Sequence, residues 1–292
     1  MLLLMRWLSR RSLRFLHALG AFLGWLSYWA SPSYRWRLCA NAALAGVTVE
    51  QRRQAVAEAG KMVMETPRLW LRAAGQPIAD PLSWEGAAII GDCLDAGRGL
   101  VLLTPHLGSF EVCAQGYAQR FGERQPITVL FRPARYRVLR ELEETSRQRA
   151  HLRTAPATLG GVRQMLRALK RGETVGLLPD QVPPEGLGVW ADSFGKPAYT
   201  MTLAARLALQ SGAPIVLIWC RRLPRGGGFH LRVEPLVETL PRTAADDAAL
   251  AKAQAEVVNR AMQGLIGQCP QQYLWGYNRY KTPRALDPGS GA

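Results

Sequence analysis

Lysine is scarce in this chain: five of its 37 basic residues are Lys and the rest are Arg. Cysteine is scarce too. The five cysteines are odd in number and scattered, with no Cys-x-x-Cys spacing, which excludes a disulfide framework and a zinc knuckle and points to a reducing compartment. Acidic side chains are missing from the first 49 residues, where six arginines stand unopposed. Internal repeats, low-complexity linkers and nucleic-acid-binding motifs are also missing, which leaves no sequence module for nucleic acid. What is there is a folded chain of 292 residues, 48% hydrophobic and 20% charged, enough apolar material for a sizeable core.

The net charge of +15 is segregated. Residues 1–49 contribute six basic groups, and residues 120–171 contribute thirteen basic against four acidic. Charge concentrated in this way suits an anionic membrane surface or an acidic partner.

Near the amino terminus, Phe15 to Ala30 form a mostly apolar stretch of sixteen residues between arginines. As a helix it measures about 24 Å, short of the roughly 30 Å hydrocarbon core. Tyr28 and Trp29 occupy the place where a cleaved signal peptide needs small residues. The stretch therefore reads as a retained anchor helix, embedded in a membrane or spanning it once, the alternative being an apolar helix packed on the globular domain. Trp25, Tyr28, Trp29, Tyr34 and Trp36 suit the headgroup level. The expected organisation is an anchor with basic flanks over 1–40, an α/β domain over 41–282 and a disordered Pro/Gly-rich tail over 283–292.

Residues 50–73 carry helical periodicity, with Pro67 marking a bend or break. Beyond residue 99, short apolar runs (100–104, 127–131, 174–178 and 215–220) alternate with helical patterns, among them a basic amphipathic helix around 162–171 and a long helix from about 246 to 266. That alternation predicts an α/β fold with a mostly parallel central sheet flanked by helices.

Of four histidines, His17, His151 and His230 read as ordinary surface or interface residues. His106 follows an apolar strand at the place where ligands of open α/β sheets collect, the carboxyl end. Glu111 meets it only if His106 lies in the loop and Glu111 in the first helical turn, since five helical residues place side chains about 140° apart. An imidazole beside a carboxylate is a general base. Ser109 lacks a glycine-flanked elbow and Cys113 has no distinguishing context, so the nucleophile is expected from the substrate, most simply as a hydroxyl.

Five blocks occur in order: Thr104-Pro-His-Leu-Gly-Ser-Phe-Glu111, Phe131-Arg-Pro133, Leu178-Pro-Asp-Gln181, Phe194-Gly-Lys-Pro-Ala198, and Pro270 through Lys281 with Tyr273, Trp275 and Arg279. Together they resemble the late acyltransferases of lipid A biosynthesis, within the wider lysophospholipid and glycerol-phosphate acyltransferase group. The resemblance implies a glycerol-phosphate-acyltransferase-like fold and transfer of a fatty acyl chain from an acyl carrier protein or coenzyme A thioester to a hydroxyl of a membrane lipid, at the cytoplasmic face of a bacterial inner membrane. It implies no metal and no cofactor beyond the thioester co-substrate. By position it makes His106 the base and Glu111 its partner, and adds Arg132, Arg147 and Asp180 as substrate-binding residues. The two guanidinium groups suit the phosphates of an anionic glycolipid or the phosphopantetheine arm. The chain departs from the family pattern at Ser109-Phe110, where Asn-Trp is usual, and at Gln271, where Glu is common. These departures leave other phospholipid or glycolipid acceptors open. Competing readings are a lipid hydrolase or thioesterase in which His106 activates water, and a non-catalytic basic membrane-binding protein.

Overall fold

The computed structural model of the chain describes residues 2–73, 76–79, 81–131 and 149–285. Four helices come first: α1 (Leu2–Ser9), α2 (Leu13–Ala30), α3 (Pro32–Leu44) and α4 (Val49–Leu71). Their starts are chemically marked. Ser12 and Ser31 accept from the backbone N–H groups of Phe15 and Tyr34, and Thr48 forms a reciprocal capping box with Gln51. Pro67 does not end α4, which continues to Leu71. Only one N–H is lost there, close to the last turn, and the proline ring is buried against its surroundings.

Helix α2 has two faces. Leu13, Leu16, His17, Gly20 and Gly24 are buried against α4, while Phe15, Phe22, Leu26 and Trp29 lie exposed on the opposite side. The approach of the two helices depends on glycine: a Cβ on Gly60 of α4 would stand 1.9 Å from the Gly20 carbonyl oxygen, and one on Gly24 would stand 2.4 Å from that of Val56. No helix among the described residues is long and apolar enough to cross a membrane. Helix α2 docks by one face and leaves the other uncovered, and the expected anchor role is not shown by it.

The remaining elements are β1 (Leu82–Glu85), α5 (Ala87–Asp95), β2 (Leu100–Leu103), α6 (Phe110–Phe121), β3 (Ile127–Phe131), β4 (Leu152–Pro156), α7 (Leu159–Lys170), β5 (Thr174–Leu177), β6 (Gly188–Ser193), β7 (Lys196–Met201), α8 (Leu203–Ser211), β8 (Ile215–Arg222), β9 (Phe229–Pro235) and α9 (Asp247–Gln268). The main sheet runs β1-β9-β8-β2-β5-β3-β4, and β6 and β7 pair separately as an antiparallel hairpin. Every pairing in the main sheet is parallel except β8 with β9.

Both faces of the sheet are covered, so its central strands are apolar throughout rather than alternating. Val101 and Leu103 belong to one core with Met165, Leu207 and Val257 from α7, α8 and α9. Leu100 and Leu102 belong to the other, with Ile90, Val112 and Tyr117 from α5 and α6. The apolar runs expected as strands are strands, and the alternating pattern resolves into the expected, mostly parallel α/β sheet. Helix α7 buries Met165, Ala168 and Leu169 and leaves Arg163, Arg167 and Lys170 exposed.

Candidate functional site

Strands β2 and β5 are neighbours, parallel and in register, with Leu103 opposite Leu177. Each is followed by one residue, a proline and then a polar side chain: Thr104-Pro105-His106 after β2 and Leu178-Pro179-Asp180 after β5. Equal offsets from paired positions bring the two together. The His106 Nδ1 lies 2.7 Å from Asp180 Oδ1, and the His106 backbone N–H donates to Oδ2 at 2.9 Å. Tyr273 donates its hydroxyl to the same Oδ2 at 3.1 Å.

Burial pushes the Asp180 carboxyl upward, but the charge and hydrogen bonds of His106, with Arg279 nearby, carry it below the ordinary carboxylate range. Asp180 is therefore an acceptor, and in the neutral form of the ring this puts the imidazole proton on Nδ1 and the lone pair on Nε2. That lone pair faces the Gln181 side-chain amide nitrogen, a donor, at 3.0 Å. The imidazole retains 17% exposure, and the Phe110 ring lies against it, with centroids 4.8 Å apart.

His106 sits in the loop and Glu111 in the first turn of α6, as the sequence reading required. Asp180, which the resemblance places among the substrate-binding residues, holds the hydrogen bond at Nδ1 of His106. The physical reason is the parallel pairing of β2 and β5, which delivers a carboxylate from 74 residues away in sequence. Arg132 and Arg147 lie outside the described residues. Gln181 and the Tyr273 hydroxyl were not singled out for these contacts. The one available signal was the repeated strand, x-Pro, polar pattern after β2 and β5.

The loop is clamped on both sides. The Gly108 N–H donates to the Gln272 carbonyl at 2.9 Å, the Ser109 N–H to the Cys220 carbonyl at 2.9 Å, and the Leu274 N–H to the His106 carbonyl at 3.2 Å. Gly108 has φ +59°, and a Cβ there would stand 1.9 Å from the Cys220 oxygen, so only glycine lets the loop pass so close to the end of β8. Neither nearby side-chain nucleophile is available. Ser109 is buried with its hydroxyl donated to Glu65, and burial pushes the Cys113 thiol up to about 12.

A strand-end imidazole held by a buried carboxylate, with the Gln181 amide at its second nitrogen and without a usable serine or cysteine beside it, has the chemistry a general base needs when the nucleophile comes from the substrate. The model for bacterial lipid A biosynthesis acyltransferases matches residues 3–282, and the chain belongs to that family of acyltransferases. It is 29% identical over 224 residues to the lipid A biosynthesis lauroyltransferase of Escherichia coli K12, covering 76% of this chain and 69% of that one. It is 26% identical over 245 residues to the palmitoleoyltransferase of the same organism, covering 80% and 74%. It is also 28% identical over 168 residues to a phosphatidylinositol mannoside acyltransferase of Mycolicibacterium smegmatis, covering 56% and 52%.

Proposed function

We propose that this protein moves a fatty acyl chain from an acyl carrier protein or coenzyme A thioester to a hydroxyl of a lipid A precursor, with His106 as the general base. The observation that supports the reading is the His106–Asp180 pair, which leaves Nε2, met by the Gln181 amide, as the basic nitrogen of a partly exposed imidazole. In the reaction the acceptor hydroxyl displaces the Gln181 amide from Nε2 and gives its proton to that atom. The hydroxyl oxygen attacks the thioester carbonyl, the carbon–sulfur bond breaks as the tetrahedral intermediate collapses, and the departing thiolate takes the proton back from the imidazolium. Asp180 holds the ring's tautomer and orientation and offsets the charge formed on it. Glu111 assists by its negative charge from the first turn of α6. A thioester is already activated, so this chemistry calls for no metal or further cofactor. Arg132 and Arg147 are proposed, from sequence position alone, to hold phosphates of the anionic acceptor or of the phosphopantetheine arm.

The reading places the enzyme on the cytoplasmic face of a bacterial inner membrane, with α2 in the interface. Support comes from the uncovered Phe15, Phe22, Leu26 and Trp29 face, from Trp36 at 70% exposure on the adjoining α3, and from the arginines before α2, at its start and in α3. The exposed arginines of α7 suit docking of an acidic carrier protein. The deciding experiment is mass spectrometry of lipid A and glycerophospholipids from cells with the protein, without it, and with His106→Ala. An acyl increment on lipid A that needs both the protein and His106 supports the reading. An increment on another lipid redirects the acceptor, and free fatty acid without an acylated acceptor makes the protein a hydrolase.

A further inference from the structure

Beneath the His106 loop lies a buried ion pair outside the five matched sequence blocks. Glu65 on α4 and Arg222 at the end of β8 each have side chains 1% exposed. Arg222 donates from Nε and one terminal nitrogen to the two Glu65 oxygens at 2.9 and 2.8 Å, and from the other terminal nitrogen to Glu58 at 2.7 Å. The nitrogen that reaches Glu65 also donates to the Gly108 carbonyl at 3.2 Å. Glu65 in turn accepts from the Ser109 hydroxyl at 2.5 Å and lies 3.1 Å from Nε2 of His17 on α2. Both groups of the pair thus end on the residues two and three positions past His106.

A buried ion pair is poor value as a pure stabiliser, because the desolvation of two charges offsets most of their attraction. Its particular property is rigidity: the planar guanidinium and the carboxylate meet in a fixed bidentate geometry. Here that fixed object is shared by the carbonyl of Gly108 and the hydroxyl of Ser109, while the opposite edge of the loop is held by the Gln272 and Leu274 backbone. We propose that Glu65 and Arg222 are positioning residues for His106: their ion pair sets the loop so that the imidazole meets Asp180 on one side and presents Nε2 to the acceptor on the other. The inference rests on His106 being the base, and it adds two residues from helix α4 and strand β8 to the machinery of the reaction.

The test uses the full-length purified enzyme with an acyl carrier protein thioester and a lipid A precursor, comparing Glu65→Gln, Ser109→Ala, the double variant and His106→Ala. Glu65→Gln is expected to lower kcat about tenfold to a hundredfold, the scale set by small misplacements of reacting groups, with both KM values within about twofold. Ser109→Ala is expected to lower kcat in the same manner by a smaller factor. Because the two act through one contact, the double variant should be no slower than Glu65→Gln. The acid limb of the kcat/KM pH profile should also move, whereas a smaller folded fraction would only scale the profile down. Should Glu65→Gln fail to fold, Ser109→Ala and Ser109→Thr decide the matter: loss in the first and recovery in the second support the inference. If folded variants keep wild-type kcat and pH profile, or if the losses simply add, while His106→Ala is inactive, the positioning role is wrong and the base assignment stands. If His106→Ala turns over at the wild-type rate, the base assignment itself fails and this inference with it.

Discussion

His106 and Asp180 stand three residues beyond paired positions, Leu103 and Leu177, of two adjacent parallel strands, and meet at 2.7 Å. Their contact is a consequence of sheet register rather than of any local sequence motif. A slip of one residue in the pairing of β2 with β5 would put the two loops out of step and separate the pair.

Asp180→Asn keeps the shape of the side chain and removes the charge that selects the Nδ1–H tautomer. Acyl transfer should fall about 10²- to 10⁴-fold, the range associated with general-base assistance, with the fold intact by circular dichroism. Steady-state kinetics against the wild type measures it.

Acid should destabilise the protein through Glu65. Burial raises this carboxyl, but Arg222, through charge and hydrogen bonding, with His17 and Ser109, holds it below its ordinary value of 4.5. A group depressed in the folded state contributes stability above its unfolded pKa and loses it as pH falls through the folded one. Chemical unfolding at a series of pH values should show stability dropping below about pH 4.5, and Glu65→Gln should flatten that slope while being less stable at neutral pH. Leaving the partner of a buried pair uncompensated costs about 3–5 kcal/mol, reduced here by the Arg222–Glu58 contact.

Gly60→Val should loosen α2 from α4. The added side chain meets the Gly20 backbone rather than a movable side-chain tip, so the expected cost is at least the 1–3 kcal/mol typical of roughly one overpacked site. Thermal unfolding measures it, with Gly264→Val on α9, where a Cβ meets nothing within 4 Å, as the control.

The uncovered face of α2 should govern membrane partition. Phe22 and Trp29 are 64% and 65% exposed, and burying a large apolar side chain contributes about 1.5–3 kcal/mol. Replacing both with Ser should weaken binding to anionic vesicles by tenfold or more in a sedimentation assay, without changing thermal stability. Unchanged partition would mean that another surface carries the membrane contact.

Neutralising Arg163 and Arg167 on α7 should raise KM for a carrier-protein donor and reduce its dependence on salt, because long-range steering is screened over about 10 Å at 0.1 M. KM for a coenzyme A donor should change less. Kinetics at two salt concentrations with each donor separates the two.

Local order in this protein is written in its local sequence. The apolar runs at 100–104, 127–131, 174–178 and 215–220, the amphipathic pattern of α7 and the long periodic stretches of α4 and α9 each specify an element, because the length of an apolar run and the spacing of apolar residues together decide which backbone period buries them. His106 in a strand-end loop, with Glu111 in the first turn of the next helix, was legible for the same reason. Pairing across the fold was not. That Asp180 meets Nδ1, that Glu65 and Arg222 join beneath the loop across 157 residues, and that the apolar stretch near the amino terminus docks by Gly20 and Gly24 onto Gly60 all depend on which strands and helices become neighbours. Composition and periodicity specify how each segment buries its own apolar face. The partner that covers it, and the distant charge or carboxylate that arrives with that partner, are decided only when the sheet closes in register and the helices pack.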